Sequence, residues 1–300
     1  LASEERRSRS GTGGETETGD PAGVDVEAGL RTHPRVHWQR PDPARAPARR
    51  IVSLVPSLSE ALVALGLGQR LVGVTEYCVE PPGAFDGLPR LGGTKDADVA
   101  AIVACEPDLV IANREENTAR VVRRLAERGI DVWVSYPRTV REGVQLLAEL
   151  AELGADEAAR ARVVAPARAA LTGAEARQLQ EAGPRVFCPI WRDPWMTIGR
   201  DTYIHDLIEL CGGRNVFADE RDRRYPIVTL EAVVAAQPEV ILLPDEPYAF
   251  GPGDVEAFRQ LAIPAARTGR IVPIDGSLVS WYGPRIAQAI QVLARIFATP

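Results

Sequence analysis

Val99-Ala-Ala-Ile-Val-Ala-Cys-Glu-Pro-Asp-Leu-Val-Ile111 decides the fold, because the pattern occurs twice. Leu230-Glu-Ala-Val-Val-Ala-Ala-Gln-Pro-Glu-Val-Ile-Leu242 repeats it without a gap 131 residues later. In each copy a short apolar helical run ends at a proline, which has no N–H to continue the ladder, and a buried strand follows. The separation is too long for a solenoid repeat. It predicts two similar Rossmann-like α/β lobes.

Outward from the first copy, Ile51 to Val55 reads as a buried strand. Ser57-Leu-Ser-Glu60 fits a capping box opening a helix, which gives Glu60 a structural reading beside that of a ligand contact. Strands follow at Leu71 to Val74 and Val132 to Val134, with a helix over Val122 to Arg128, so residues 50–138 form the first lobe. Residues 139–183 form a helical linker. It holds an amphipathic helix over Thr139 to Leu153 and a long Ala-, Arg- and Glu-rich helix from Asp156 to about Glu181. Pro166 is expected to kink or restart the long helix, which would act as a stiff backbone between the lobes. Residues 184–300 form the second lobe, with Asp201 expected to cap a helix over Thr202 to Leu210. Residues 1–49 are polar and rich in Gly, Pro, Arg and Glu. Such a segment buries too little apolar surface to offset its ordering entropy, so a disordered arm is expected there, with Trp38 as part of a tether.

The composition narrows the function. The net charge of −6 and the lack of a basic tract argue against nucleic acid as a partner. None of the four cysteines lies in a C-x-x-C pair, so neither a zinc ribbon nor a redox motif is indicated, and disulfide status stays open. No apolar run approaches the roughly 18 residues of a membrane span. The sequence opens without a hydrophobic signal region, which leaves a cytoplasmic location open beside export with a leader. There is no G-x-S-x-G elbow, Walker lysine, G-x-G-x-x-G after a strand or H-E-x-x-H. His205, the one histidine beyond the arm, stands a turn from Glu209, as half a metal site or as a helix flank.

Ligands of open α/β sheets bind beyond the carboxyl ends of the strands. Glu115 and Glu116 follow the first repeated strand, and Glu246 follows the second, in register with Glu115. If the lobes face each other, these carboxylates line one cleft. Tyr77, Trp191, Trp195, Trp281 and Tyr282 lie on other strand-end loops, and Tyr225 and Tyr248 join them. Flat apolar faces with few charges suit a large, planar or rigid ligand, and carboxylates beside aromatics suit a cation. The reading is a non-catalytic, monomeric receptor. The alternative is an intracellular metal-dependent enzyme or metal-handling protein that uses the cleft carboxylates.

From Arg50 onward the chain resembles the periplasmic binding proteins of the iron-chelate and cobalamin class, in particular the subgroup called helical-backbone metal receptors. The resemblance is carried by Arg50-Ile-Val-Ser-Leu-Val-Pro-Ser-Leu-Ser-Glu60, Glu106-Pro-Asp-Leu-Val-Ile111, Leu210-Cys-Gly-Gly-Arg-Asn-Val-Phe217 and Gly283-Pro-Arg285. It implies the class III solute-binding architecture, a ligand in the cleft, little domain closure and an extracytoplasmic setting. The ligand would be a corrinoid, a tetrapyrrole or another metal chelate, with no covalent cofactor. It further implies docking on an ABC-type permease through one glutamate per lobe. Glu231 matches the second of these, and Ala100 stands where the first is expected. The cobalamin binders stack a Trp where this chain has Thr94, whereas Tyr77 and Tyr225 fall at aromatic ligand-contacting positions.

Overall fold

The repeated segments set the architecture. The structure, a computed structural model, describes residues 29–38, 48–177, 183–220 and 223–298. In the first lobe, β1 (Val36–Trp38), β2 (Ile51–Ser53), β3 (Leu71–Val74), β4 (Leu109–Asn113) and β5 (Asp131–Ser135) form a parallel sheet ordered β1-β5-β4-β2-β3. In the second, β6 (Arg185–Phe187), β9 (Arg214–Asn215), β10 (Val240–Pro244) and β11 (Ile271–Ile274) form a parallel sheet ordered β11-β10-β6-β9. Apart from β1, the two orders are the same. A short antiparallel pair, β7 (Pro189–Trp191) and β8 (Met196–Thr197), follows β6.

The internal repeat is reproduced in detail. The strands β4 and β10 begin and end at the same offset, and both are buried throughout, as strands covered on two faces must be. The preceding helices are α2 (Val99–Ala104) and α7 (Leu230–Ala236), capped at equivalent positions by Asp98 and Thr229. Each turn before the proline holds a non-glycine residue at positive φ, Glu106 at 45° and Gln237 at 47°. An arginine clamps each turn: Arg50 Nε donates to Glu106 O at 2.9 Å, and Arg185 Nε donates to Gln237 O at 2.8 Å. Asp108 and Glu239, one residue past each proline, accept the backbone N–H of these same arginines.

Between the lobes run α4 (Val140–Glu152) and α5 (Glu157–Arg177), packed with the C-terminal helix α11 (Ile286–Ala298). One apolar core extends from Leu58 and Leu62 of the first lobe, through Leu147, Leu150 and Ala167, to Leu207 and Ile290 of the second. Each sheet also has its own outer core, around Val110 and Leu125 in one lobe and around Phe187 and Phe258 in the other. Gly143 lets α4 approach the second lobe closely, since a Cβ there would lie 3.1 Å from both Tyr203 and Tyr282. Sliding the lobes apart would open this shared core to water, so continuous packing resists large rigid-body motion.

Several expectations need correction. Part of the arm is folded: Leu30 and Val36 are buried, and β1 pairs in parallel with β5 through Val36, His37 and Trp38. The short Val-His-Trp run covers a sheet edge that would otherwise expose unpaired backbone groups. Residues 1–28 and 39–47 lie outside the described ones. The helix α1 (Pro56–Ala64) starts at a proline and has no side-chain cap, so the capping box of Ser57 and Glu60 does not form. Thr202, not Asp201, caps α6 (Tyr203–Leu210), because its hydroxyl meets the His205 N–H while Asp201 pairs with Arg138 and Arg224. The backbone helix α5 does not restart at Pro166 but runs through it.

Candidate functional site

Two buried asparagines shape the loop after β4. Asn117 accepts the Asn113 N–H at 2.8 Å and donates to Leu54 O and Thr94 O. Asn113 in turn accepts the Glu115 N–H at 2.8 Å. Lys95 Nζ donates to Glu115 O at 2.5 Å. With its backbone fixed in this way, the loop presents two consecutive carboxylates to the second lobe, while Thr118 caps the next helix, α3 (Ala119–Glu127).

Both carboxylates are met by phenols from the other lobe. Tyr225 OH donates to Glu115, whose Oε1 lies 3.1 Å from Arg224 Nη2. Tyr282 OH donates to Glu116 at 3.4 Å. Burial pushes the Glu116 carboxyl up to about 7, against the opposing effects of the Tyr282 hydroxyl and Lys95. The nearby charges of Glu115 and Glu246 push it the same way. Glu246 is raised by burial as well, and it accepts a hydrogen bond from Ser280 at 3.2 Å. Tyr225 and Tyr282 are raised by burial and by the carboxylates they face, so both remain donors at any ordinary pH.

The aromatic residues divide. Tyr77, on the loop after β3, and Trp191, the last residue of β7, are 61% and 44% exposed, and Trp191 meets Tyr248 edge-on at 5.6 Å. Trp195, expected on the cleft wall beside Trp191, is partly buried against the second-lobe core. It stacks on Phe250 at 6.0 Å and packs on Phe258 at 5.0 Å. Asp193-Pro194 turns the chain between β7 and β8, so the two tryptophans of one loop point to different surroundings. Tyr282 is buried with its ring on Tyr203, and only its hydroxyl edge reaches the cleft carboxylates. Trp281 lies under the Arg285 guanidinium at 4.9 Å.

Arg285, of the Gly283-Pro-Arg285 motif, gathers a group of carboxylates at the lobe boundary. Its Nε lies 3.0 Å from both Glu60 oxygens, Nη1 is 2.7 Å from Ser277 Oγ, and further carboxylates stand at 3.5 Å (Asp275) and 3.6 Å (Glu80). Glu60 therefore serves to tie the lobes together. A second missed group surrounds Tyr136 at the end of β5, where Arg114, Arg138 and Arg224 all place guanidiniums over one ring. Val79 and Ile227 are exposed as well. Apart from Gly-Pro-Arg285, none of these carries a local sequence signal, because their partners are distant in the chain.

His205 and Glu209 are structural. His205 Nδ1 lies 3.3 Å from Asn215 Nδ2, and Glu209 accepts the Asn215 N–H at 2.9 Å, which holds β9 in place. Among the described residues no group of three or more His, Cys, Asp or Glu side chains is placed to hold a metal ion. The four cysteines are free. Glu231 and Ala100 are both exposed near the starts of the equivalent helices α7 and α2, and Asp98 beside Ala100 is engaged as the cap of α2.

Comparison with known proteins fits this geometry. A family profile described as periplasmic binding protein matches residues 51–278. A vitamin B12-binding protein of Vibrio cholerae is 27% identical over 245 residues, 82% of this chain and 87% of that protein. The crystal structure of a periplasmic vitamin B12 binding protein of Vibrio cholerae superimposes with a TM-score of 0.73 at 26% identity, covering 83% of this chain and 96% of that one. The periplasmic heme-binding protein of Roseiflexus sp. RS-1, in its apo form, gives a TM-score of 0.71 at 26% identity, with 83% and 98% covered.

Proposed function

This chain belongs to the periplasmic binding protein family, and on that premise we propose that its interlobe cleft receives a rigid, planar metal complex of the corrinoid or iron-chelate class. It is a non-catalytic solute-binding receptor of class III architecture. Its similarity to vitamin B12- and heme-binding proteins supports this ligand class.

One observation carries the reading. Among the described residues, the large hydrophobic side chains that stand exposed are Tyr77, Val79, Trp191 and Ile227. Tyr77 and Val79 follow β3, Trp191 ends β7 and Ile227 precedes α7, and in this reading all four face the cleft. Exposed apolar groups gathered at a concave boundary mark a binding surface rather than a core. Trp191 with Tyr248 would supply one wall, and Tyr77 the other. Glu115, Glu116, Tyr225, Glu246, Trp281 and Tyr282 would supply its polar inner edge. Trp195 would act through Phe250 and Tyr248, which it supports from behind. The receptor would work outside the cytoplasmic membrane and as a monomer, delivering its ligand to an ABC-type permease. Glu231 would make one docking contact, and Ala100 would leave the first-lobe contact unlike it.

Titration of tryptophan fluorescence with cyanocobalamin, iron protoporphyrin and a ferric siderophore tests the proposal. Saturable quenching by at least one of them is expected, and Trp191→Ala should weaken binding roughly tenfold or more, the scale of a buried aromatic contact. Absence of saturable quenching across all three would overturn it.

A further inference from the structure

The β7–β8 hairpin that carries Trp191 is weak on its own. β8 is two residues long, the pairing shifts register between Pro189 and Trp191, and Asp193 at the tip sits in the left-handed region at φ 61°. A hairpin of this size is marginal in water, and a non-glycine residue at positive φ persists only where its surroundings hold it. The β8 side is anchored, because Thr197 N–H donates to Pro226 O at 3.0 Å and Val228 N–H donates to Trp195 O at 2.9 Å. These bonds leave the tip, from Arg192 to Pro194, to be held by something else.

Arg192 holds it. Its Nη1 donates to Asp254 Oδ1, and its guanidinium lies over the Trp195 ring at 5.4 Å. Asp254 is buried in the first turn of α8 (Pro252–Arg259), and its other oxygen accepts the Gly251 N–H at 2.8 Å. Gly251 ends the loop after β10, which carries Tyr248 and Phe250. One buried carboxylate therefore joins the tip of the hairpin to the end of the neighbouring loop. The side chains of the two segments also form a closed chain of contacts. Trp191 meets Tyr248, Tyr248 packs on Phe250 at 4.7 Å, Phe250 stacks on Trp195, and Trp195 lies under Arg192, the residue after Trp191. An exposed ion pair contributes little, but removing the guanidinium here would leave a buried carboxylate without its cation.

We propose that Arg192 and Asp254 are positioning residues for the aromatic wall: they lock the hairpin of Trp191 to the loop of Tyr248 and so set how long the ligand stays bound. Neither needs to touch the ligand. The inference rests on the cleft being the ligand site and on Trp191 forming one of its walls. A wall fixed before the ligand arrives loses less freedom on binding, and affinity differences within one site fall mostly on the dissociation rate. Loosening the lock should therefore shorten the lifetime of the complex and leave association nearly unchanged.

Stopped-flow fluorescence on the full chain, with cyanocobalamin, iron protoporphyrin and ferrioxamine B as probes, tests the inference. Arg192→Gln should speed dissociation of a bound probe about fivefold or more while association changes less than about twofold. Asp254→Asn keeps an oxygen for Gly251 and should match it. Arg192→Lys should recover part of the loss, and Arg259→Gln, an exposed arginine on the same helix, should have no effect. In a Trp191→Ala background Arg192→Gln should change dissociation little, because its effect runs through that ring. Without ligand, hydrogen exchange in Arg192→Gln should rise across residues 191–197 and at Gly251 and stay native in α4 and α11, which separates a loosened wall from a general loss of stability. Native dissociation and native local exchange in Arg192→Gln, with the native chain binding, overturn the inference and leave the receptor reading standing. An equal effect of Arg192→Gln with and without Trp191 also overturns it. No binding of any probe to the native chain removes both.

Discussion

Replacing Glu116 by Gln isolates the cost of holding a carboxyl between the lobes. The group is partly buried, accepts a hydrogen bond from Tyr282 and is pushed up from 4.5 to about 7, mainly by burial. In the unfolded chain it loses its proton near 4.5, whereas the folded protein keeps the proton until about 7. Between these values the unfolded state binds fewer protons, so stability falls as pH rises through that window and is flat, for this group, on either side. A shift of this size corresponds to about 3 kcal/mol. The glutamine side chain stays neutral at every pH and still accepts from Tyr282. The variant and the native protein should therefore have similar stability near pH 4. The variant should gain progressively above that, reaching about 3 kcal/mol, or roughly 5–10 °C in Tm, by pH 8. Urea unfolding of both proteins at half-unit steps from pH 4 to pH 8 measures the difference, in which titrations common to both cancel. A difference that does not change across pH 4.5–7 would refute the placement of Glu116 as a buried, neutral acid.

Other consequences follow from the same contacts. Arg285→Ala removes the partner of partly buried Glu60 and should cost about 2–4 kcal/mol, with faster hydrogen exchange in α1; if Arg285→Lys is as stable as the native protein, the forked geometry is immaterial. Gly276→Ala would place a Cβ 2.3 Å from Glu246 Cγ and 2.7 Å from its backbone N, so it should destabilise the chain by about 1–3 kcal/mol and shift the Glu246 loop, a change that ligand titration also reads. Glu106→Gly relieves a left-handed backbone at an exposed position and should raise stability by about 0.5–1 kcal/mol in thermal unfolding. Gln237→Gly should gain less, because the Gln237 side chain donates to Val234 O and Ala262 O.

The frame of the molecule was legible because it is encoded locally. A helix, a proline and a buried strand carry their own patterns, and repetition let one copy confirm the other, down to the ends of β4 and β10. The acidic strand-end positions Glu115 and Glu246 were legible for the same reason. What stayed hidden depends on partners far away in sequence. Ser57-Leu-Ser-Glu60 satisfies a local capping pattern, yet Glu60 is held by Arg285 from the other lobe. Trp191 and Trp195 are four residues apart in one aromatic loop. The turn between β7 and β8 leaves one exposed against Tyr248 and packs the other on Phe250 and Phe258, which composition cannot distinguish. The Val36–Trp38 strand was missed because three residues are too few to show a period, and their stability comes from the edge they cover.

The pairing of loops across the cleft explains why so regular a repeat yields an asymmetric site. The β4 and β10 loops meet in the middle, where the charge of Glu246 is felt by Glu116. Away from that centre the ends are exchanged. The β9-to-α7 loop of the second lobe, with Arg224 and Tyr225, faces the β4 and β5 loops of the first, while Arg285 beyond β11 faces α1 and the β3 loop through Glu60 and Glu80. Two lobes of like strand order thus meet through different loops at their two ends. Strictly identical lobes paired in this way would present the same chemistry at both ends. Here one end carries Tyr77 and Val79 beside the Glu80–Arg285 pair, and the other carries Tyr136 with three arginines. The shared core packs against both lobes and so ties the two unlike ends to one frame.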